Sequence, residues 1–191
     1  MKKLILASAS PRRSDLLKQI GLDFEVIPSS YQEDNFLKLK PEALTREFAK
    51  SKAQEVASSS NCGLVIGADT AVILDDKILG KPESIEEAFE MLKKLSGRMH
   101  QVITGLAVVN SENGAAETTH STTKVWFREL TDKEISSYIK TGEPMDKAGA
   151  YGIQGCGALF VEKIEGCYFN VVGLPLAELG RILSGLGYEV L

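Results

Sequence analysis

Two hydrophobic periods divide this chain into elements, and the places where one gives way to the other mark the turns. Leu4-Ile5-Leu6-Ala7 is a short apolar run that reads as a buried strand and stops at a small, hydroxyl-bearing turn, Ser8-Ala9-Ser10. A helix follows from Pro11 to Ile20. Ser10 suits its N-cap, Pro11 its first position, Leu16, Leu17 and Ile20 its apolar side, and Gly21 its stop. Phe24 to Ile27 predicts a strand ended by Pro28, and Ser29 to Lys40 a polar loop carrying Glu33 and Asp34. Pro41 opens a second helix to about Ser58, with Leu44, Phe48, Ala49, Ala53 and Val56 at helical spacing. Leu64 to Ala68 is an unbroken apolar run, as expected of a strand buried on both faces, and Asp69-Thr70 is placed at its C-terminal edge.

Ala71 to Leu74 continues extended, Asp75-Asp76-Lys77 reads as a turn, and Ile78-Leu79 pairs back before Gly80-Lys81-Pro82. Ser84 to Glu87 and Thr131 to Glu134 have capping-box spacing. The first opens a helix with Ala88, Phe89, Leu92 and Leu95 inside and Gly97 beyond its end. The second opens one that ends near Thr141-Gly142. Val102 to Val109 and Thr118 to Arg128 predict strands around the turn Glu112-Asn113-Gly114; the later one alternates and is half-exposed. Gly142 to Gly157 is a glycine-dense loop, implying tight backbone geometry or close approach to a ligand. Ala158 to Val161 and Tyr168 to Val172 are expected strands, and Pro175 starts a last helix with Leu176, Leu179, Ile182 and Leu183 inward. The fold class is α/β: a central mixed, twisted sheet flanked by helices. Residues 1–191 form one domain, expected as two lobes around a cleft.

Composition narrows the possible partners. The chain has 191 residues, 43% hydrophobic and 25% charged, with a net charge of −4. That is a globular balance with no broad basic face, which argues against duplex nucleic acid. The opening Met1-Lys2-Lys3 and its apolar run resemble a signal peptide, but the run is shorter than the roughly 7–15 residues of such a core. No later segment approaches the ~18 apolar residues of a membrane span. Cys62, Cys156 and Cys167 are odd in number and not in metal-ligand spacing, which fits reduced thiols and a cytoplasmic setting.

Several residues stand against their local pattern. Arg12 and Arg13 fall in the first turn of a helix, the wrong end for cations on dipole grounds. Together with free backbone N–H groups and the hydroxyls of Ser8 and Ser10 they make a phosphate site; the plain alternative is two solvated arginines. Lys52 lies on the apolar stripe of the second helix, four residues after Phe48, where it either snorkels to the rim or lines a cleft. Lys81 is a second isolated lysine. Gln154 is the amide of the glycine-dense loop, able to donate and accept as base recognition requires. His100 and His120 lie in strand-like context and read as structural. No nucleophile elbow, no GxxxxGK[ST] loop and no GxGxxG occurs. Cations around a strand-end aspartate suggest a polyphosphate ester cut by water with a divalent ion, Mg²⁺ or Mn²⁺, held by carboxylates such as Glu33 and Asp69.

At these residues the chain resembles a known family. Ser8-Ala9-Ser10-Pro11-Arg12-Arg13, Gly67-Ala68-Asp69-Thr70, Gly80-Lys81-Pro82, Ala148 to Gly155 and Asn170-Val171-Val172-Gly173-Leu174-Pro175 closely resemble, in order and over nearly the whole chain, the motifs of the Maf family. That resemblance implies a Maf/ITPase-like fold with a cleft for the nucleotide. It also implies a divalent-metal-dependent, house-cleaning nucleoside triphosphate pyrophosphatase, active as a homodimer and linked to septum inhibition in bacteria. The combination of Asp69-Thr70 with Tyr151 to Gly155 is similar to the branch acting on dTTP and UTP rather than on 7-methyl-GTP. Within the resemblance Asp69 matches the proton acceptor. Arg12, Thr70 and Gln154 match positions tied to substrate choice, and Ser10, Arg13, Glu33, Lys52 and Lys81 match positions in the active-site cleft.

For Asp69 physical chemistry leaves a choice. A carboxylate surrounded by cations favours its charged form, which suits a ligand better than a base. Asp69 is therefore expected to orient the attacking water beside the metal. The rival reading, from another class, is a nucleotide-binding regulator of septum formation with little turnover.

Overall fold

The structure, a computed structural model, describes residues 2–33, 37–60 and 62–190; Met1 and Asp34 of the sequence reading lie outside them. The strands are β1 (Leu4–Leu6), β2 (Phe24–Val26), β3 (Leu64–Leu74), β4 (Lys77–Leu79), β5 (Met99–Asn110), β6 (Ala116–Phe127) and β7 (Val161–Glu165). The helices are α1 (Pro11–Gln19), α2 (Pro41–Ser58), α3 (Ile85–Leu95), α4 (Asp132–Ile139), α5 (Tyr168–Val172) and α6 (Leu176–Gly185). Among the described residues the strands form one seven-stranded sheet in the order β2-β1-β3-β5-β6-β7, with β4 paired to β3. β1 is parallel to both β2 and β3, whereas β3–β4 and β6–β7 are antiparallel. The mixed sheet flanked by helices is the α/β architecture expected from the sequence.

The chain divides into two compact units, Met1–Asp69 with Thr104–Ser121 and Gly173–Leu191, and Thr70–Ile103 with Thr122–Val172. In the first, α2 lies on the sheet, and Ala49, Ala53 and Val56 pack with Ile5, Val65, Ala107 and Val109. Two glycines permit this approach. A Cβ on Gly67 would come within 2.2 Å of the Ala49 carbonyl oxygen, and one on Gly105 within 2.2 Å of the Thr45 carbonyl oxygen. In the second unit, α3 and α4 bury Ala88, Leu92, Leu95 and Ile135 with Val72, Val102, Val125, Phe127, Tyr151 and Phe160.

Helices α1, α2 and α3 begin and end close to where capping residues and apolar stripes predict, and α6 begins at Leu176, directly after Pro175. The turn at Asp75-Asp76 has both residues at positive φ (49° and 61°), the primed geometry that matches strand twist in a two-residue hairpin. The box at Thr131 is complete. At Ser84 it is half-formed: the hydroxyl accepts from Glu87 N–H, but the Glu87 carboxylate accepts from Glu83 N–H instead.

Three expectations are corrected, and a fourth segment, the glycine-dense loop, has the tight backbone geometry its sequence implies. Tyr168–Val172 is a helical turn, not a strand. Its Asn170 is fully buried and donates to the Val102 carbonyl and Thr123 Oγ1, 2.9 Å each, so a tertiary anchor overrides β-rich composition. Ala158 to Phe160 belongs to a 3-10 segment, Gly155–Phe160, and the strand begins only at Val161. The glycine-dense loop is ordered into 3-10 turns with Pro144, Gly149, Ala150, Tyr151 and Gly157 buried. Asp69-Thr70 does not end a strand: β3 runs on to Leu74 because the hairpin to β4 pairs Val72 to Leu74.

Candidate functional site

Asp69 nevertheless sits beyond the end of a strand, that of its neighbour. β1 pairs with Leu64 to Ile66 and stops at Leu6, so the edge of β3 beyond Ile66 is uncovered by β1 from there on. Alternation puts Val65, Gly67 and Asp69 on the face where α2 packs. With α2 pressed down at Gly67, Lys52, the residue before Ala53, meets Asp69. Its ammonium lies 2.7 Å from Asp69 Oδ1 and 2.6 Å from Glu33 Oε1. The Lys52 and Asp69 side chains are 17% and 15% exposed, so water screens this pair little; Glu33 is more open. Lys52 therefore does not snorkel to the rim. It joins two carboxylates.

The loop that delivers Glu33 is tied to α2 at further points. Ser30 Oγ and N–H both donate to Glu55, at 2.8 and 3.3 Å, and hydrogen bonds from Ser30 and Ser29 lower the Glu55 carboxyl below its ordinary range. Tyr31 rests against Phe48 with ring centroids 6.4 Å apart. Glu55 escaped sequence reasoning, because a glutamate on the open face of a helix carries no signal that a distant serine needs it.

The turn after β1 forms the second part of the same unit. Ser8 is buried, and its hydroxyl accepts from Ser10 N–H (3.3 Å) and Arg13 Nη1 (3.0 Å). Arg13 Nε donates to the Gly173 carbonyl at 2.8 Å. Two edges of this guanidinium are thus engaged by the protein, and Arg13 holds the β1 turn to the segment that starts α6. Burial and the neighbouring Arg12 lower its pKa, while Asp69 and Glu33 act in the opposite sense. The structure thus places Arg13 within electrostatic reach of the Lys52 cluster. Ser10 occupies the N-cap position, but its hydroxyl makes no capping bond; Arg12 is half-buried in the first turn of α1.

The first unit thus brings together Lys52, Asp69 and Glu33, and joins Arg13 to Ser8 and Gly173, with Ser10 and Arg12 near Arg13 in sequence. Thr70, Lys81 and Gln154 belong to the second unit. Thr70 directly follows Asp69 in β3, Lys81 is exposed after β4, and Gln154 is exposed just before the 3-10 segment Gly155–Phe160. The backbone around Gln154 is clamped. Gly152 N–H donates to Tyr138 Oη (3.2 Å), Tyr138 Oη donates to Glu143 Oε1 (3.1 Å), and Cys156 N–H donates to Glu143 Oε2 (3.1 Å). Tyr151 Oη is 2.7 Å from His100 Nε2. Both histidines lie on strands as the sequence suggested; His100 is buried on β5 and His120 is exposed on β6.

Two carboxylate oxygens converging on one ammonium are hard donors, the set that suits a small divalent ion completing its shell with phosphate oxygens and water. Among the described residues no three His, Cys, Asp or Glu side chains form a closed metal cluster. An open two-carboxylate set fits an ion shared with a substrate.

Residues 3–186 match the family model described as Maf-like protein. The chain is 48% identical over 192 residues to a dTTP/UTP pyrophosphatase of Ruminiclostridium cellulolyticum, covering all of both chains. It is 50% identical to one of Acetivibrio thermocellus, covering all of this chain and 98% of the other. With one of Methanosarcina barkeri it shares 51% identity, covering all of this chain and 97% of the other.

Proposed function

This chain belongs to the Maf family, and on that premise we propose that it hydrolyses dTTP and UTP to the nucleoside monophosphate and pyrophosphate. The observation that carries the reading is the Lys52 ammonium held between Asp69 and Glu33. The full-length likeness to relatives named for this activity supports it.

The reaction adds water across the anhydride between the α- and β-phosphates. A hydroxyl is delivered to phosphorus, the bridging oxygen leaves with pyrophosphate, and the water's proton must be taken up. Asp69 Oδ1 is fixed by Lys52, so we assign its other oxygen to the attacking water, which it aligns first as a ligand would and whose proton it takes only as the new P–O bond forms. An ammonium has three N–H donors. Lys52 uses two on the carboxylates, and the third is assigned to a phosphate oxygen. Arg12 and Lys81 are assigned to the triphosphate charge, Ser8 and Arg13 to holding the β1 turn, Ser10 to a phosphate oxygen, and Thr70 and Gln154 to base choice. Asp69 and Glu33 would hold a divalent ion, Mg²⁺ or Mn²⁺, which would supply positive charge to the triphosphate. The reading includes a cytoplasmic homodimer, an expectation carried by the family and compatible with three unbridged cysteines. No described helix is long and apolar enough to cross a membrane.

The test is pyrophosphate release from a panel of nucleoside triphosphates with Mg²⁺, with Mn²⁺ and with chelator. Metal-dependent turnover of dTTP and UTP above GTP and ATP is expected. Turnover of 7-methyl-GTP would overturn the substrate assignment, and binding without turnover would favour a nucleotide-binding regulator instead.

A further inference from the structure

Gln154 can select a base only if its backbone is held still, and the second unit contains a device that does this. The N–H groups two residues before and two residues after Gln154 end on one pair of side chains. Gly152 N–H reaches Tyr138 Oη, and Cys156 N–H reaches Glu143 Oε2. The pair is closed by Tyr138 Oη donating to Glu143 Oε1 at 3.1 Å. Burial pushes the Tyr138 phenol up, which keeps it a donor to the carboxylate.

The fit is close. Gly155 has φ +64°, and a Cβ there would lie 3.0 Å from both Glu143 oxygens, so the carboxylate is pressed against the loop. Lys147 donates to the Glu143 carbonyl at 2.5 Å, and its side chain would meet a Cβ on Gly152 at 2.9 Å. Charge-assisted bonds from backbone N–H to carboxylate are stronger than neutral ones, which suits a clamp on an exposed turn. The glycines around Gln154 are thus accounted for by the clamp, with no ligand needed to explain them.

We infer that Glu143, through Tyr138 and the backbone of residues 152–156, is a positioning residue that sets the base selectivity of Gln154. The inference rests on the pyrimidine-nucleotide reading above.

The experiment compares KM and kcat for UTP and GTP in the wild type, Glu143→Gln, Tyr138→Phe and Gln154→Ala, with thermal unfolding as the fold check. Glu143→Gln keeps the size but turns an acceptor oxygen into a donor. It is expected to raise KM for UTP about tenfold with kcat within about twofold, and to lower the UTP-over-GTP preference by the same factor. Tyr138→Phe, which removes the shared hydroxyl, should move the preference the same way and decides the matter should Glu143→Gln fail to fold. A preference left intact, or both substrates slowed equally, overturns the inference alone. A wild type without preference for UTP overturns the pyrimidine reading and the inference with it. If Gln154→Ala leaves the preference intact, the inference is overturned even where Glu143→Gln lowers it, because the residue held by the clamp is then not the one that selects the base.

Discussion

Lys52 reaches Asp69 because Gly67, two residues earlier on the same face of β3, has no side chain to keep α2 away. The candidate chemistry therefore rests on a packing contact as much as on the charged residues.

Replacing Asp69 with Asn keeps the shape of the side chain and removes its charge. Turnover should fall by between about a hundredfold and ten-thousandfold, the range for losing a positioned acid–base group. Nucleotide binding, measured by calorimetry with a divalent ion present, should persist. Undiminished turnover would remove Asp69 from the chemistry.

Gly67→Ala should cost about 1–3 kcal/mol of stability, the usual price of overpacking, because the new methyl meets backbone and not a flexible side chain. The unfolding midpoint should fall by several degrees, and the variant that does fold should lose activity as Lys52 moves from Asp69. Ala at Gly80, where a Cβ would meet nothing within 4 Å, is the control.

Asn170→Leu removes two buried hydrogen bonds, to the Val102 carbonyl and Thr123 Oγ1. A loss of about 1–3 kcal/mol is expected in denaturant unfolding. A neutral result would show that α5 is held by its apolar contacts alone.

His100 is buried, its pKa is lowered from 6.5 to about 4 by desolvation, and its Nδ1 has no hydrogen-bond partner. The unfolded chain takes up the proton first as pH falls. Stability from this group is thus complete above about pH 6.5, lost progressively down to about pH 4, and constant below. The loss amounts to about 3 kcal/mol. Because carboxylates titrate in the same window, the readout is the difference between wild type and His100→Gln. The wild type should show the steeper decline between pH 6.5 and 4, and parallel curves would contradict a neutral buried imidazole.

Much of the fold could be read from local chemistry. Pro41, the stripe from Leu44 to Val56 and the absence of any internal breaker define α2 without reference to the rest of the chain. Tyr168–Val172 could not be read that way. Its aromatic and β-branched residues favour a strand, and its helical turn is set by Asn170 bonding to residues far away in sequence. Asp69 appeared at a strand end because composition shows where an apolar run stops, not where a hairpin partner prolongs it. At the site, Lys52 was legible as a lysine on an apolar stripe. Glu55, Tyr138 and Glu143 were not, since each acts through a partner that only the tertiary fold supplies.

The chain crosses between its two units at Asp69/Thr70, Ile103/Thr104, Ser121/Thr122 and Val172/Gly173. During synthesis from the N-terminus, the unit that starts first is the one that finishes last. Its closing segment, Gly173–Leu191, carries the Gly173 carbonyl that receives Arg13, so the Arg13 anchor has no acceptor until that segment has emerged from the ribosome. The second unit, by contrast, has all its residues once Val172 has been added.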